Sequence, residues 1–131
     1  MSKLTLVGVL SASFVGLMPA NALALEASCF GAGVSDPDGV SCLIAHEDSA
    51  GNRVDRVYFD AYGEVLHIAD YAANGEGVVA YVNGIPYYLT TGANTDRTVN
   101  LNYTEGTRLP ITSCQTNNGN EYDCHTEYAT A

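Results

Sequence analysis

Val78-Val79-Ala80-Tyr81-Val82-Asn83-Gly84-Ile85-Pro86-Tyr87-Tyr88-Leu89 sets Asn-Gly between two short apolar and aromatic runs. Asn and Gly tolerate the positive φ angles of a type I′ turn, and Asn-Gly so flanked is the strongest local signal for a two-residue β-hairpin. Such a loop makes Val82 and Ile85 a hydrogen-bonded pair, and the register follows outward. Val78, Ala80, Val82, Ile85, Tyr87 and Leu89 then share one face, which the pattern assigns to the core. Val79, Tyr81, Pro86 and Tyr88 share the other face, which is apolar too; these four are the candidate binding residues. Pro86 falls opposite Tyr81 at a non-hydrogen-bonded position. Its missing N–H is one that would have pointed away from the partner strand, which marks Ile85 to Leu89 as an edge.

The flanking sequence continues in strands. Val40 to Glu47, Val54 to Asp60 and Glu64 to Asp70 carry period-two patterns separated by polar turns. The register between residues 54 and 70 stays open, because lengthening the Ala61-Tyr62-Gly63 turn by one residue flips every side chain. Val99, Leu101 and Tyr103 alternate with Thr98, Asn100 and Asn102, the pattern of a half-buried strand over Arg97 to Tyr103. Thr107 to Cys114 contains Pro110 and reads as an edge strand; Glu121 to Tyr128 closes the chain. Residues 25–39 hold Gly31, Gly33, Pro37 and Gly39 and read as a loop. There is no helical period after the leader. About eight short strands at regular spacing predict an all-β fold, a single small β-sandwich of antiparallel strands.

Residues 1–24 read as a signal peptide and residues 25–131 as the one domain. Lys3 supplies the positive start, Leu4 to Met18 the apolar run, and Ala22-Leu23-Ala24 the small-x-small cleavage pattern. The apolar run is too short and too weakly flanked for a membrane span. Four cysteines in a secreted, extracellular chain read as two disulfides, with three possible connectivities. Spacing favours Cys29 with Cys42 and Cys114 with Cys124. The turn cluster Asn117-Asn118-Gly119-Asn120, centred on residue 119, sets Cys114 opposite Cys124 across a hairpin, close enough for a disulfide.

Without its leader the chain has four arginines and no lysine against fifteen acids, a formal charge of −11. That balance opposes nucleic-acid binding by counterion release and opposes an anionic membrane surface. Neutral or basic partners suit it. His46, His67 and His125 show no spacing for a metal pair. Asp36-Pro37-Asp38-Gly39 lacks the remaining ligands of a calcium loop and reads as a turn. No Gly-x-Ser-x-Gly elbow and no glycine-rich phosphate loop is present. Neither a cofactor nor a metal is expected.

Tyr62-Gly63-Glu64 before a strand, Asp70 and Ala73-Asn74-Gly75 before Val78-Val79-Ala80, the Glu105-Gly106 turn, and a last cysteine near the C-terminus form a pattern. It resembles small secreted, disulfide-containing β-sandwich proteins of actinobacteria, over about residues 57–131, with Asn74 where Asp is commoner. The resemblance implies an exported β-sandwich and brings no activity or catalytic residues. Asp55-Arg56-Val57-Tyr58-Phe59 is similar to the arginine strand of microbial guanyl-specific ribonucleases. Those enzymes also need a glutamate base on an earlier strand and a late histidine acid, and His46-Glu47-Asp48 stands too close to Arg56 for the intervening elements. The sequence thus points to a non-enzymatic binding module that offers a tyrosine-bearing face or edge strand to another extracellular protein. The alternatives are a glycan-binding module and a small hydrolase of ribonuclease type.

Overall fold

Asn83 and Gly84 adopt φ angles of 51° and 82°, the type I′ geometry that the hairpin needs. The structure, a computed structural model, describes residues 23–131; the signal peptide expected over residues 1–24 lies outside the described residues except for Leu23 and Ala24. The strands are β1 (Ala24–Gly31), β2 (Val40–Glu47), β3 (Asp55–Asp60), β4 (Val65–Asp70), β5 (Gly77–Val82), β6 (Ile85–Leu89), β7 (Thr95–Asn100), β8 (Arg108–Asn117) and β9 (Asn120–Thr130). All pairings are antiparallel, and the described residues contain no helix.

The order is β6-β5-β8-β9-β2-β3-β4-β7, with β1 paired to β2. This is one continuous nine-stranded sheet and not the two separate sheets of a sandwich. It coils until its two ends meet, so the fold is barrel-like. At the seam the Arg97 guanidinium lies 5.8 Å from the Tyr87 ring centre and donates from Nη1 to the Tyr88 carbonyl at 2.8 Å. The interior is filled by Ile44, Val57, Phe59, Leu66, Ile68, Val78, Val82, Leu109 and Ile111, all essentially inaccessible to water. Val99, Leu101 and Tyr103 pack half-buried against it, as their alternation predicts.

Both disulfides form, Cys29–Cys42 and Cys114–Cys124. The first joins residues directly opposed across β1 and β2. The second depends on a bulge. The turn pairs Asn117 with Asn120, a register that alone would set Cys114 opposite Asp123. Asp123 takes a left-handed φ of 52°, and the register shifts between Ser113 and Gln115. That extra residue brings Cys124 opposite Cys114.

Three expectations are corrected. Residues 24–31 form a strand, not a loop: small residues hide the pattern, and the ladder along all of β2 supplies the order. Ile85 has core parity yet is 50% exposed, because the hairpin tip overhangs the end of the barrel. β8, despite Pro110, is interior, between β5 and β9. The Pro110 carbonyl accepts from Asn83 N–H at the hairpin turn, so the missing Pro110 N–H faces the same side, where the ladder has ended. The open register resolves as Asp60 opposite Val65, which puts Val57, Phe59, Leu66 and Ile68 on the core face.

Candidate binding surface

The hairpin register is the one its turn dictates: Val79 opposite Tyr88, Tyr81 opposite Pro86, Val82 opposite Ile85. On its other edge β5 sets Val79 beside Cys114 and Tyr81 beside Thr112. β8 carries the rows on to β9, with Thr112 opposite Thr126 and Pro110 opposite Tyr128. The outer face of four strands is therefore one surface, with Tyr88, Pro86, Tyr81, Thr112, Thr126 and Tyr128 across it. Tyr88 and Tyr128 are 45% and 48% exposed. Val79 does not reach this surface; it is fully buried.

One carboxylate organises the tyrosines. Tyr81 donates its hydroxyl to Glu121 Oε1 at 2.5 Å, and the Tyr88 hydroxyl points at Oε2 from 3.4 Å. Glu121 lies in the row of Gly77 and Thr116, so the Tyr81 bond crosses the intervening row of Val79 and Cys114 and closes over it. The hydrogen bond to Glu121 holds the Tyr81 phenol well above its ordinary range, so Tyr81 remains a donor at any physiological pH. Thr112 and Thr126 share a hydroxyl–hydroxyl bond of 2.7 Å, and the Arg108 guanidinium sits 3.9 Å over the Tyr128 ring. The face is amphipathic, its tyrosines held by the Glu121 carboxylate at one side and the Arg108 guanidinium lying over Tyr128 at the other.

The edge is less open than the sequence suggests. In a two-residue hairpin Ile85, Tyr87 and Leu89 direct their backbone groups to β5, leaving those of Pro86 and Tyr88 outward. Proline lacks one donor, and Arg97 occupies the Tyr88 carbonyl. Only the Pro86 carbonyl and the Tyr88 N–H remain for an added strand, so side chains, not backbone pairing, must carry recognition here.

His46 is the one histidine with a demanding environment. It is 2% exposed and lies against Asp55, 1% exposed, with Nδ1 2.9 Å and 3.0 Å from the two carboxylate oxygens. Asp55 also accepts the His46 N–H at 3.0 Å and a Gln115 amide N–H at 3.2 Å. The Asp123 carbonyl, turned inward by the bulge, lies 2.6 Å from Nε2. Both ring nitrogens thus face acceptors, an environment that favours the imidazolium form with its two N–H donors. Burial pushes its pKa down, but the Asp55 bond and charge and the Asp123 carbonyl together outweigh it and set it above the usual value. The pair engages both ring nitrogens with acceptors of the protein itself. It is a structural ion pair at one end of the barrel.

No protein-family model, curated protein or solved structure matches this chain.

Of the four residues singled out by parity, the structure brings Tyr81, Pro86 and Tyr88 together on an accessible face and withdraws Val79 beneath it. Glu121, Thr112, Thr126 and Tyr128 join them from strands that nothing in the hairpin sequence announces. Among the described residues no group of three His, Cys, Asp or Glu is close enough to hold a metal. The ribonuclease-like strand β3 has no helix among the described residues to support it, and its Asp55 is committed to His46.

Proposed function

We propose that this chain is a secreted, non-enzymatic binding module whose outer face around Tyr81 and Tyr88 docks a neutral or basic extracellular protein. The observation that carries the reading is the shared carboxylate: Glu121 holds Tyr81 and directs Tyr88 while leaving Tyr88 half-exposed. Ordered tyrosines lose little conformational entropy on binding and combine apolar area with a polar tip, the properties of interface anchors. Exposed Pro86 extends the patch at one side and Tyr128 with Arg108 at the other. Two disulfides suit an oxidising compartment, and no helix among the described residues is long and apolar enough to cross a membrane. A net charge of −10 favours a basic partner at the rim of the patch.

The test is capture from the host's culture fluid on immobilised protein, beside a column of Tyr81→Ser/Tyr88→Ser. The interior beneath this face, Val78, Val82 and Leu89, is untouched by the substitutions, so the variant keeps its cooperative melting transition. A partner retained by the wild type binds the variant at least ten times more weakly, a loss of about 1.4 kcal/mol. Equal binding by a folded variant removes the tyrosine face as the site.

A further inference from the structure

Across the β6–β7 seam from the tyrosines, the outer faces of β3, β4 and β7 form a cleft of about 380 Å³. Its walls include Arg56, His67, Tyr71, Asn94, Asp96 and Thr98. The register explains the grouping: Arg56 faces Ala69, Ala69 faces Asp96, Tyr58 faces His67, and His67 faces Thr98. Ala69 is the small residue in the middle of the first row, and the cleft opens where its side chain is short.

Arg56 is the unusual member. Arg53 has Glu26, Arg97 has the Tyr88 carbonyl and the Tyr87 ring, and Arg108 has the Tyr128 ring. Arg56 has no ion pair or hydrogen bond among the described residues, and its Nε is buried without a partner. Such a group in a protein with fifteen acids calls for an explanation. Beside it runs a ledge of three rings: Phe30 stacks on Tyr58 at 6.2 Å, and Tyr58 on His67 at 5.8 Å. The ledge ends in the cleft at His67.

We propose that this cleft binds a carboxylate-bearing sugar, its carboxylate gripped by Arg56 and its ring lying against the His67 end of the aromatic ledge. The guanidinium fork matches a planar carboxylate and gives both charge and direction. The apolar C–H face of a pyranose suits the negative face of an aromatic ring. The Tyr71 and Thr98 hydroxyls, the Asn94 amide and the Asp96 carboxylate supply mixed donors and acceptors for ring hydroxyls. Size selects one ring, since the volume is near the low end of ligand pockets, roughly 300–1,000 Å³. Charge selects an anion: Arg56 and Arg97 share the cleft with the single carboxylate of Asp96, and the ring contact at His67 favours a uronate over bare phosphate.

The experiment is an NMR titration of the whole domain with glucuronate, galacturonate, methyl glucuronate ester, glucose and inorganic phosphate. The expected result is saturable shifts at Arg56, His67, Tyr71 and Thr98 with a uronate, at least tenfold weaker binding of the ester and glucose, and weaker binding of phosphate. Arg56→Gln abolishes the uronate shifts, and Arg56→Lys, which keeps the charge but not the fork, weakens them several-fold. His67→Ala, which leaves Arg56 in place, weakens binding by removing the end of the ledge. Tyr81→Ser/Tyr88→Ser leaves uronate binding unchanged, which separates this cleft from the protein-docking face. The proposal is overturned if no uronate binds, if ester and acid bind alike, if phosphate binds more tightly than either uronate, or if a folded Arg56→Gln variant binds as the wild type does.

Discussion

Asp55→Ala removes the acceptor on which one end of the barrel is built. The Asp55 carboxylate receives the His46 backbone N–H, the His46 ring and the Gln115 amide, all at 2.9–3.2 Å. Its loss leaves the His46 ring, 2% exposed, without its charge partner, and leaves the His46 N–H and the Gln115 amide without their acceptor. Removing one partner of a buried ion pair costs about 3–5 kcal/mol, because the other is left uncompensated. A domain of this size has only about 5–15 kcal/mol in total. At ~4–8 °C per kcal/mol for a domain of this order, the melting temperature falls by at least about 12 °C. Asp55→Asn keeps the shape and part of the hydrogen bonding and removes only the charge, so its cost lies between wild type and Asp55→Ala. Urea unfolding of the three proteins measures both steps. A loss below about 1 kcal/mol for Asp55→Ala, or an NMR titration placing the His46 pKa below its ordinary value near 6.5, refutes the ion-pair account.

The same pair makes stability pH-dependent. The folded-state pKa of His46 is raised, so its contribution is complete below the unfolded value near 6.5 and is lost as pH rises through the folded value, and Asp55→Asn flattens this slope in a urea-unfolding series. Burial, then the nearby Asp55 charge, raises Asp70 against the bond it accepts from the Ala72 N–H, so a separate loss occurs as pH rises above about 4 in the same series. Replacing Cys114 and Cys124 by Ser opens a loop spanning 10 residues and costs about 2–3 kcal/mol on the chain-entropy model, read from the shift in urea midpoint. Gly77→Ala places a Cβ 2.8 Å from the Leu89 carbonyl oxygen, a backbone atom that cannot swing aside, and destabilises by about 1–3 kcal/mol in thermal unfolding. Glu121→Gln removes the main cause of the raised Tyr81 phenol, and ring-carbon NMR shows that tyrosine titrating nearer its ordinary range.

What the sequence disclosed was local. Asn83-Gly84 fixes a turn type, the turn type fixes a register, and the register fixes which side of β5 and β6 each residue faces. The disulfide partners follow from spacing, though Cys114 meets Cys124 only through the bulge at Asp123, a residue whose left-handed backbone no alternation pattern reveals. β1 was hidden because Ala24, Ala27, Ser28 and Gly31 give little apolar contrast, and its order comes from the ladder with β2. The barrel closes where β4 and β7 meet β5 and β6, with Arg97 reaching across the two ends of the sheet, and a sandwich pattern and a coiled sheet have the same alternation. On the outer face of the hairpin, parity groups Tyr81, Pro86 and Tyr88 but does not show that Val79 is roofed over, since the roof includes Glu121, 40 residues from Tyr81 in the chain. Arg56 and His67 stayed apart for a similar reason: until Asp60 pairs with Val65, nothing sets Tyr58 against His67 or opens a cleft beside Arg56.

The central claim, that the Tyr81–Tyr88 face is a protein-docking surface, is tested most directly by a hydrogen-exchange footprint of the domain with its captured partner. The account predicts added protection over β6 and the outward groups of β8 and β9 near Thr112, Thr126 and Tyr128, lost together with affinity in Tyr81→Ser/Tyr88→Ser. A footprint confined to β1, β3, β4 or β7, with full affinity in that folded variant, contradicts it.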